Sequence, residues 1–263
     1  MTTAMKTTGI AAIFMVSAGA FAQTAIAPPQ AGFVEDSAHT LRPVYGFAGN
    51  FILGRSLTGP IVSEAFSGSL GLLKTDASLA AFDSQGALLA SMDLAAGPAL
   101  FAFSPNGTTA LVFIAESNTW IEWRGNRFAR VPLDREQLGA GAVVAIAFPN
   151  PFEATLMVQR NSDSLWEIHL PLGAAGTLSQ NVLAGVRAPV LALPAGDLVY
   201  PDAQGIVVRR PAGPEVHIAA SLPETFSLHQ MNQDWIQLTD LKSSARFAIH
   251  TTPGREGLYR LPE

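Results

Sequence analysis

Five histidines, His39, His169, His217, His229 and His250, are the side chains of this 263-residue chain best suited to ligate a metal or move a proton near neutral pH. No two of them stand in a His-x-His or His-x-x-x-His spacing, so no pair is placed on one face of a strand or helix as a metal site. Cysteine is absent, which removes disulfides, thiolate zinc sites and a cysteine nucleophile. The run Ser67-Gly68-Ser69-Leu70-Gly71 is rich in Gly and Ser but lacks the Gly-x-Ser-x-Gly elbow of a serine hydrolase, and reads as a turn. No catalytic residue, metal ligand or cofactor site is expected from these types and spacings.

What remains is a polar set of turn asparagines, Asn106, Asn150 and Asn232, with His229 close to the last. Amide oxygens of this kind suit a weakly held divalent ion or a sugar hydroxyl. Asparagine also tolerates left-handed turn geometry and satisfies local backbone groups, which is the structural alternative. The four are the candidate ligand-binding residues.

The elements that must position them are short strands. Apolar runs rich in Val, Ile, Leu, Phe and Trp are broken by Gly, Pro, Asn and Asp, with no apolar period of 3.6 residues long enough for a helix. A shift of 45 residues places Phe103 on Phe148, Leu111 on Leu156, Val112 on Met157, Phe113 on Val158 and Trp123 on Ile168. A further 45 places Leu193-Pro194 on Phe148-Pro149. Self-similarity at this period is the mark of a β-propeller blade of four antiparallel strands. The chain is therefore expected to be all-β, a small propeller of about five, or else six, such blades. Trp120, Trp123, Trp166 and Trp235 are expected to fill the wedges between them. The segment Gly32–Gly46 reads as a hairpin that either pairs with the last blade or begins a sixth.

The ends of the chain set the compartment. Lys6, the apolar stretch Gly9 to Ala20 and the small-x-small triplet Ala20-Phe21-Ala22 form a signal peptide over residues 1–22. A linker over 23–31 leads into a single domain over 32–263. The expected product is an exported monomer, periplasmic or extracellular, with no later segment apolar enough to span a bilayer. A formal charge of −5 without a basic stripe argues against nucleic acid.

The segments Phe101 to Trp123 and Ala145 to Ile168 share an apolar strand, a Pro-Asn turn, an apolar strand, a Ser/Asn turn and a third apolar strand. In this they resemble exported bacterial propellers of the lactonase-like and YVTN-repeat group. The resemblance implies the fold, and admits both binding subunits and hydrolases. In such a ring the first strand of each blade lines a central channel. Here those strands hold Phe101-Ala102-Phe103, Ala145-Ile146-Ala147, Leu191-Ala192-Leu193 and Phe226-Ser227-Leu228, with no Asp or Glu. Glycoside cleavage needs two carboxyl groups, and only Glu64 stands in a comparable place. The expected function is a non-catalytic module that binds a protein or a glycan. The alternative is a lactonase-like hydrolase using a weakly bound divalent ion at the ring mouth.

Overall fold

Strand-forming runs separated by turn residues give twenty-three strands and, among the described residues, no helix. The computed structural model describes residues 29–262 apart from 37, 57–59, 69, 85, 133–139, 162–163 and 173–177. The expected signal peptide, the mature start at Gln23, and Ser69 of the Gly/Ser turn lie outside the described residues.

The strands form six antiparallel sheets in chain order. The first has three strands, β1 (Gln30–Glu35), β2 (Leu41–Phe47) and β3 (Asn50–Leu53). The second is β4 (Ser63–Ser67), β5 (Leu70–Lys74), β6 (Ser78–Asp83) and β7 (Leu88–Asp93). The third is β8 (Ala99–Phe103), β9 (Ala110–Ile114), β10 (Thr119–Arg124) and β11 (Arg127–Val131). The fourth is β12 (Ala142–Asn150), β13 (Glu153–Asn161), β14 (Ser164–Pro171) and β15 (Ser179–Leu183). The fifth is β16 (Leu191–Ala192), β17 (Leu198–Pro201), β18 (Gly205–Arg209) and β19 (Val216–Ala219). The sixth is β20 (Phe226–Gln230), β21 (Trp235–Asp240), β22 (Arg246–His250) and β23 (Gly257–Arg260). This is a six-bladed β-propeller with one short blade.

Burial follows position in the blade. Every residue of β9 (Ala-Leu-Val-Phe-Ile) is buried, because a second strand has a neighbouring blade on both faces. The outer strand β7 keeps four of its six residues exposed and only Ala90 and Met92 half-buried. Tight turns carry the positive φ their sequences suggest, as at Gly107 (φ 65°) after Pro105-Asn106. A Cβ there would stand 3.3 Å from the Ser67 carbonyl oxygen of the preceding blade, so glycine also permits the blades to approach.

The 45-residue repeat holds for the first strand and fails by one residue for the second. Phe103 packs toward the second blade and Phe148 toward the third, so they are equivalent. Leu111 and Leu156, however, face each other across one wedge, the core between the third and fourth blades. The pairings explain this: Phe103 lies opposite Ala110, while Ala147 lies opposite Thr155, which sets Phe148 against Ala154. The first turn of the fourth blade is one residue shorter, and a one-residue slip sends each side chain to the other face. The true equivalents are Val112 with Leu156 and Phe113 with Met157. Leu193 is displaced in the same way: it packs toward the sixth blade, while Ala192 takes the place of Phe148.

Ring closure takes the second of the two expected forms, in which the hairpin begins a sixth, partial blade. Residues 30–53 make a sheet of their own rather than joining the last blade, and Gln30 and Ala31 already belong to β1. The strands β4, β8, β12, β16 and β20 stand side by side, and β20 lies directly beside β4. Strand β1 touches β21 and β4. It therefore occupies a second-strand position, and among the described residues the first blade has no inner strand. Six blades thus surround a channel walled by five strands.

Candidate functional site

The side chains near this seam are sorted by strand alternation. On β20 and β21, Phe226, Leu228, Ile236 and Leu238 pack toward the fifth blade. Ser227, His229, Gln237 and Thr239 then point the other way, toward the first blade. The corresponding face of the third blade carries Ala102, Leu111, Phe113 and Trp120. On β4, Ala65 packs toward the third blade, so Glu64 faces the first. On β1, Phe33 packs toward the second blade and Val34 toward the sixth, which turns Glu35 toward Glu64.

The result is a cavity of about 650 Å³ that gathers Glu35, Asp36, His39, His229, Gln237 and Arg246 beside apolar Ile61, Val62 and Leu241. Its mouth lies at the turns that carry Asp76 and Asp240. At its inner end His229 also borders the central channel, a narrow space of about 80 Å³ that is otherwise mostly apolar, with Glu64 on its wall. Three side chains of the last blade take over the hydrogen bonds that an inner strand would have made. Arg246 Nη1 donates to the Glu35 carbonyl oxygen at 2.9 Å, and Gln237 Nε2 reaches the same oxygen at 3.5 Å. Asn232 Nδ2 donates to the Ala31 carbonyl oxygen at 2.5 Å. The inner edge of β1 is thereby covered, since buried carbonyls without donors are costly.

Electrostatics in the seam are set by enclosure. Burial pushes the Glu64 carboxyl up to about 8, with the Glu35 charge adding to the rise. Glu35 is itself raised by burial, against the pull of the His39 ring that bonds its carboxylate. His229 is half-buried between the cavity and the channel, and desolvation pulls its ring down to about 4. At neutral pH both Glu64 and His229 are therefore uncharged. Asp36, although partly desolvated, is held below the usual carboxylate range by hydrogen bonds from Thr40 and Ala38.

Of the four residues proposed from sequence, the structure places His229 in this cavity and the three asparagines elsewhere. Asn106 Oδ1 accepts from Ser104 Oγ (2.7 Å), Thr108 N (3.1 Å) and Thr108 Oγ1 (2.9 Å). Asn150 Oδ1 accepts from Phe152 N at 2.9 Å. Asn232 Oδ1 accepts from Asp234 N and Trp235 N, and its residue borders a separate cavity of about 180 Å³ at the other end of β20. All three amide oxygens serve their own turns. Among the described residues, no group of three or more His, Asp or Glu side chains is gathered as a metal site.

Sequence reasoning missed Glu35, Gln237 and Arg246. One signal was available: alternate residues of the last unit, Ser227, His229, Gln237 and Thr239, are polar where other units are apolar. Glu35 had none, because its place beside Glu64 depends on ring closure.

No family model matches the chain, and no curated protein matches it. Solved structures do. A nidogen/laminin complex is similar with a TM-score of 0.57 at 13% identity, over 87% of this chain and 97% of that one. TolB from Acinetobacter baumannii gives 0.54 at 14% identity, over 88% and 66%. The Aleuria aurantia lectin in complex with Fucα1-6GlcNAc gives 0.53 at 11% identity, over 88% and 90%. These likenesses establish the β-propeller fold.

Proposed function

We propose that this chain is an exported, non-catalytic binding module, of the lactonase-like and YVTN-repeat kind, that holds a glycan in the seam cavity. The observation that carries the reading is the cavity of about 650 Å³ at the ring closure, where His229, Gln237, Thr239 and Arg246 stand beside apolar Ile61, Val62 and Leu241. Pockets of a few hundred Å³ with convergent polar groups are the usual seat of small ligands. The lectin among the structural relatives was solved with a glycan, and the nidogen structure with a protein, laminin. Uncharged His229 with Ser227, Gln237 and Thr239 makes a neutral hydrogen-bonding set on this wall, which suits sugar hydroxyls. The signal peptide read over residues 1–22 supports export to the periplasm or beyond.

A glycan array probed with the mature chain tests this. Retained glycans whose signal falls in His229→Ala support the seam. An empty array, with a protein captured from the cell envelope, replaces the glycan by a protein partner.

One observation favours a second reading. Glu35 faces Glu64 across the wedge, closely enough for its charge to raise the Glu64 carboxyl. This is the second carboxylate that the sequence did not reveal, and a protonated acid beside a second carboxyl group is what glycoside cleavage requires. Release of nitrophenol from a panel of nitrophenyl glycosides, lost in Glu64→Gln, would establish it. No release from any member of the panel leaves binding alone.

A further inference from the structure

A second cavity, of about 790 Å³, opens where the loops entering the fifth and sixth blades meet, and it shares only Leu241 with the seam. Leu222 and Phe226 form its floor, half-buried against the core between those blades. Pro189, Pro201 and Pro223 also line it and are half-buried, and Leu241 on the rim is 63% exposed. The Leu241 N–H donates to the Thr225 carbonyl at 3.1 Å, which ties the rim on that side to the entry loop of the sixth blade. A ligand laid on these apolar faces gains by the area it removes from water. The proline rings that receive it have almost no side-chain freedom to lose.

Three charged residues border the cavity, and they are not equivalent. Asp202 is committed to its own blade: its Oδ1 accepts from Gln204 N at 2.7 Å and Gly205 N at 2.8 Å, and its Oδ2 lies 2.9 Å from His217 Nδ1. Glu224, on the exposed rim, pairs with Lys242. Arg187 bonds no described residue. The loop that carries it is nonetheless held, because Val186 and Val190 on either side are buried in the core between the fourth and fifth blades. Arg187 is therefore an uncommitted cation, anchored at the edge of an apolar cavity whose two carboxylates already have their donors.

We propose that this cavity takes an apolar carboxylate with a flat body, an arylacetic acid being the simplest, whose carboxylate pairs with Arg187 while its ring lies on Phe226 and the prolines. The site goes beyond the glycan reading of the seam and does not depend on it. A guanidinium presents its N–H donors in a planar fork that matches a carboxylate, and the resulting bonds are charge-assisted. The amide of the same acid keeps the ring contacts and loses the charge. A flat, rigid body also gives up little conformational freedom on entering.

Titration calorimetry of the mature chain with naphthylacetate, phenylacetate, naphthylacetamide and naphthylethylamine tests the proposal. Naphthylacetate is expected to bind about tenfold more tightly than its amide. It should also bind about fivefold more tightly than phenylacetate, whose ring covers less apolar area. In about 0.5 M NaCl the preference for acid over amide should shrink by about twofold or more. Arg187→Gln, at an exposed position, should bring naphthylacetate down to the affinity of the amide and leave the amide unchanged. Leu241→Ser, also exposed, should weaken acid and amide alike by about threefold. Equal affinity for acid and amide overturns carboxylate selection. Tighter binding of the amine does the same, and gives the sign of the site to Asp202 and Glu224. An acid preference that survives Arg187→Gln overturns the assignment of the anion to that residue. Absence of binding by every member of the set overturns the proposal, and leaves the glycan test of the seam untouched.

Discussion

Arg246 donates a hydrogen bond of 2.9 Å to the backbone carbonyl of Glu35, and so stands where a β-strand would otherwise be. Every other blade has an inner strand to satisfy the carbonyls of its second strand. The first blade has the side chains of Arg246, Gln237 and Asn232 instead, all from the last blade. Ring closure and cavity formation are therefore linked: two of the three side chains that seal the edge of β1, Arg246 and Gln237, also line the seam cavity.

Arg246→Ala should lower unfolding free energy by about 2–3 kcal/mol in urea denaturation, and Gln237→Ala by about 1–2 kcal/mol, since each strips a donor from a buried carbonyl. Because they share the Glu35 oxygen, the double variant should depart from additivity by at least 0.5 kcal/mol. Strict additivity would show that the two act independently.

Glu64 gives stability a defined pH dependence. Its carboxyl is raised from 4.5 to about 8 in the folded state, so between these values the folded protein holds a proton that the unfolded chain releases. Stability then falls as pH rises through this window, by up to about 1.4 kcal/mol per unit, and levels off above it. His229, lowered from 6.5 to about 4, acts oppositely: its contribution is present above 6.5 and is lost as pH falls toward 4. The two slopes offset each other between about 4.5 and 6.5. Glu64→Gln should match the parent near pH 4.5 and melt at a higher temperature at pH 8.5. Equal melting temperatures at pH 8.5 would place the Glu64 carboxyl near its ordinary value.

Trp120 is 2% exposed and stacks on Phe113 with ring centroids 4.3 Å apart, inside the wedge between the third and fourth blades. Trp120→Ala should cost about 3–5 kcal/mol in chemical denaturation. Its Nε1 is buried without a partner, so Trp120→Phe removes an unmet donor along with apolar area. The phenylalanine variant should recover more than half of the loss.

Arg210 joins the last two blades. From the end of β18 it donates through Nη2 to Glu256 Oε1 at 2.7 Å and to the Thr251 carbonyl at 2.9 Å, with Asp197 at 3.8 Å. Arg210→Ala leaves Glu256 and Asp197 without their shared cation and should cost about 2–4 kcal/mol. Its neighbour Arg209 pairs with Glu215 within one blade and is more exposed, so Arg209→Ala should cost under 1 kcal/mol. Comparable losses would mean that the contact between blades adds nothing.

Much of the fold was legible because strand, turn and wedge are local matters. The run Ala110 to Ile114 has to be a buried strand, Pro105-Asn106-Gly107 has to turn, and Arg246–His250 was readable to its ends. Period was legible too, but face was not: Leu111 and Leu156 share a letter and a spacing, and lie on opposite faces of their blades because one turn is a residue shorter. The tryptophans divide in the same way. Trp120 and Trp123 fill wedges as their size predicts, and Trp235 packs edge-on against Phe51 of the first blade, while Trp166 lies under Arg160.

By itself the sequence determined an all-β ring of repeated four-stranded sheets, since alternation of apolar and polar residues and the placing of turns depend on neighbours a few residues apart. It also determined that Asn106, Asn150 and Asn232 would sit in turns. Only the tertiary structure decided that the first blade has no inner strand among the described residues, and that Glu35, His229, Gln237 and Arg246 line one cavity, with Glu64 on the adjoining channel wall. Those residues come from opposite ends of the chain, and their proximity follows from the angle through which six wedges close on themselves. No local pattern records that angle, and so none recorded the site.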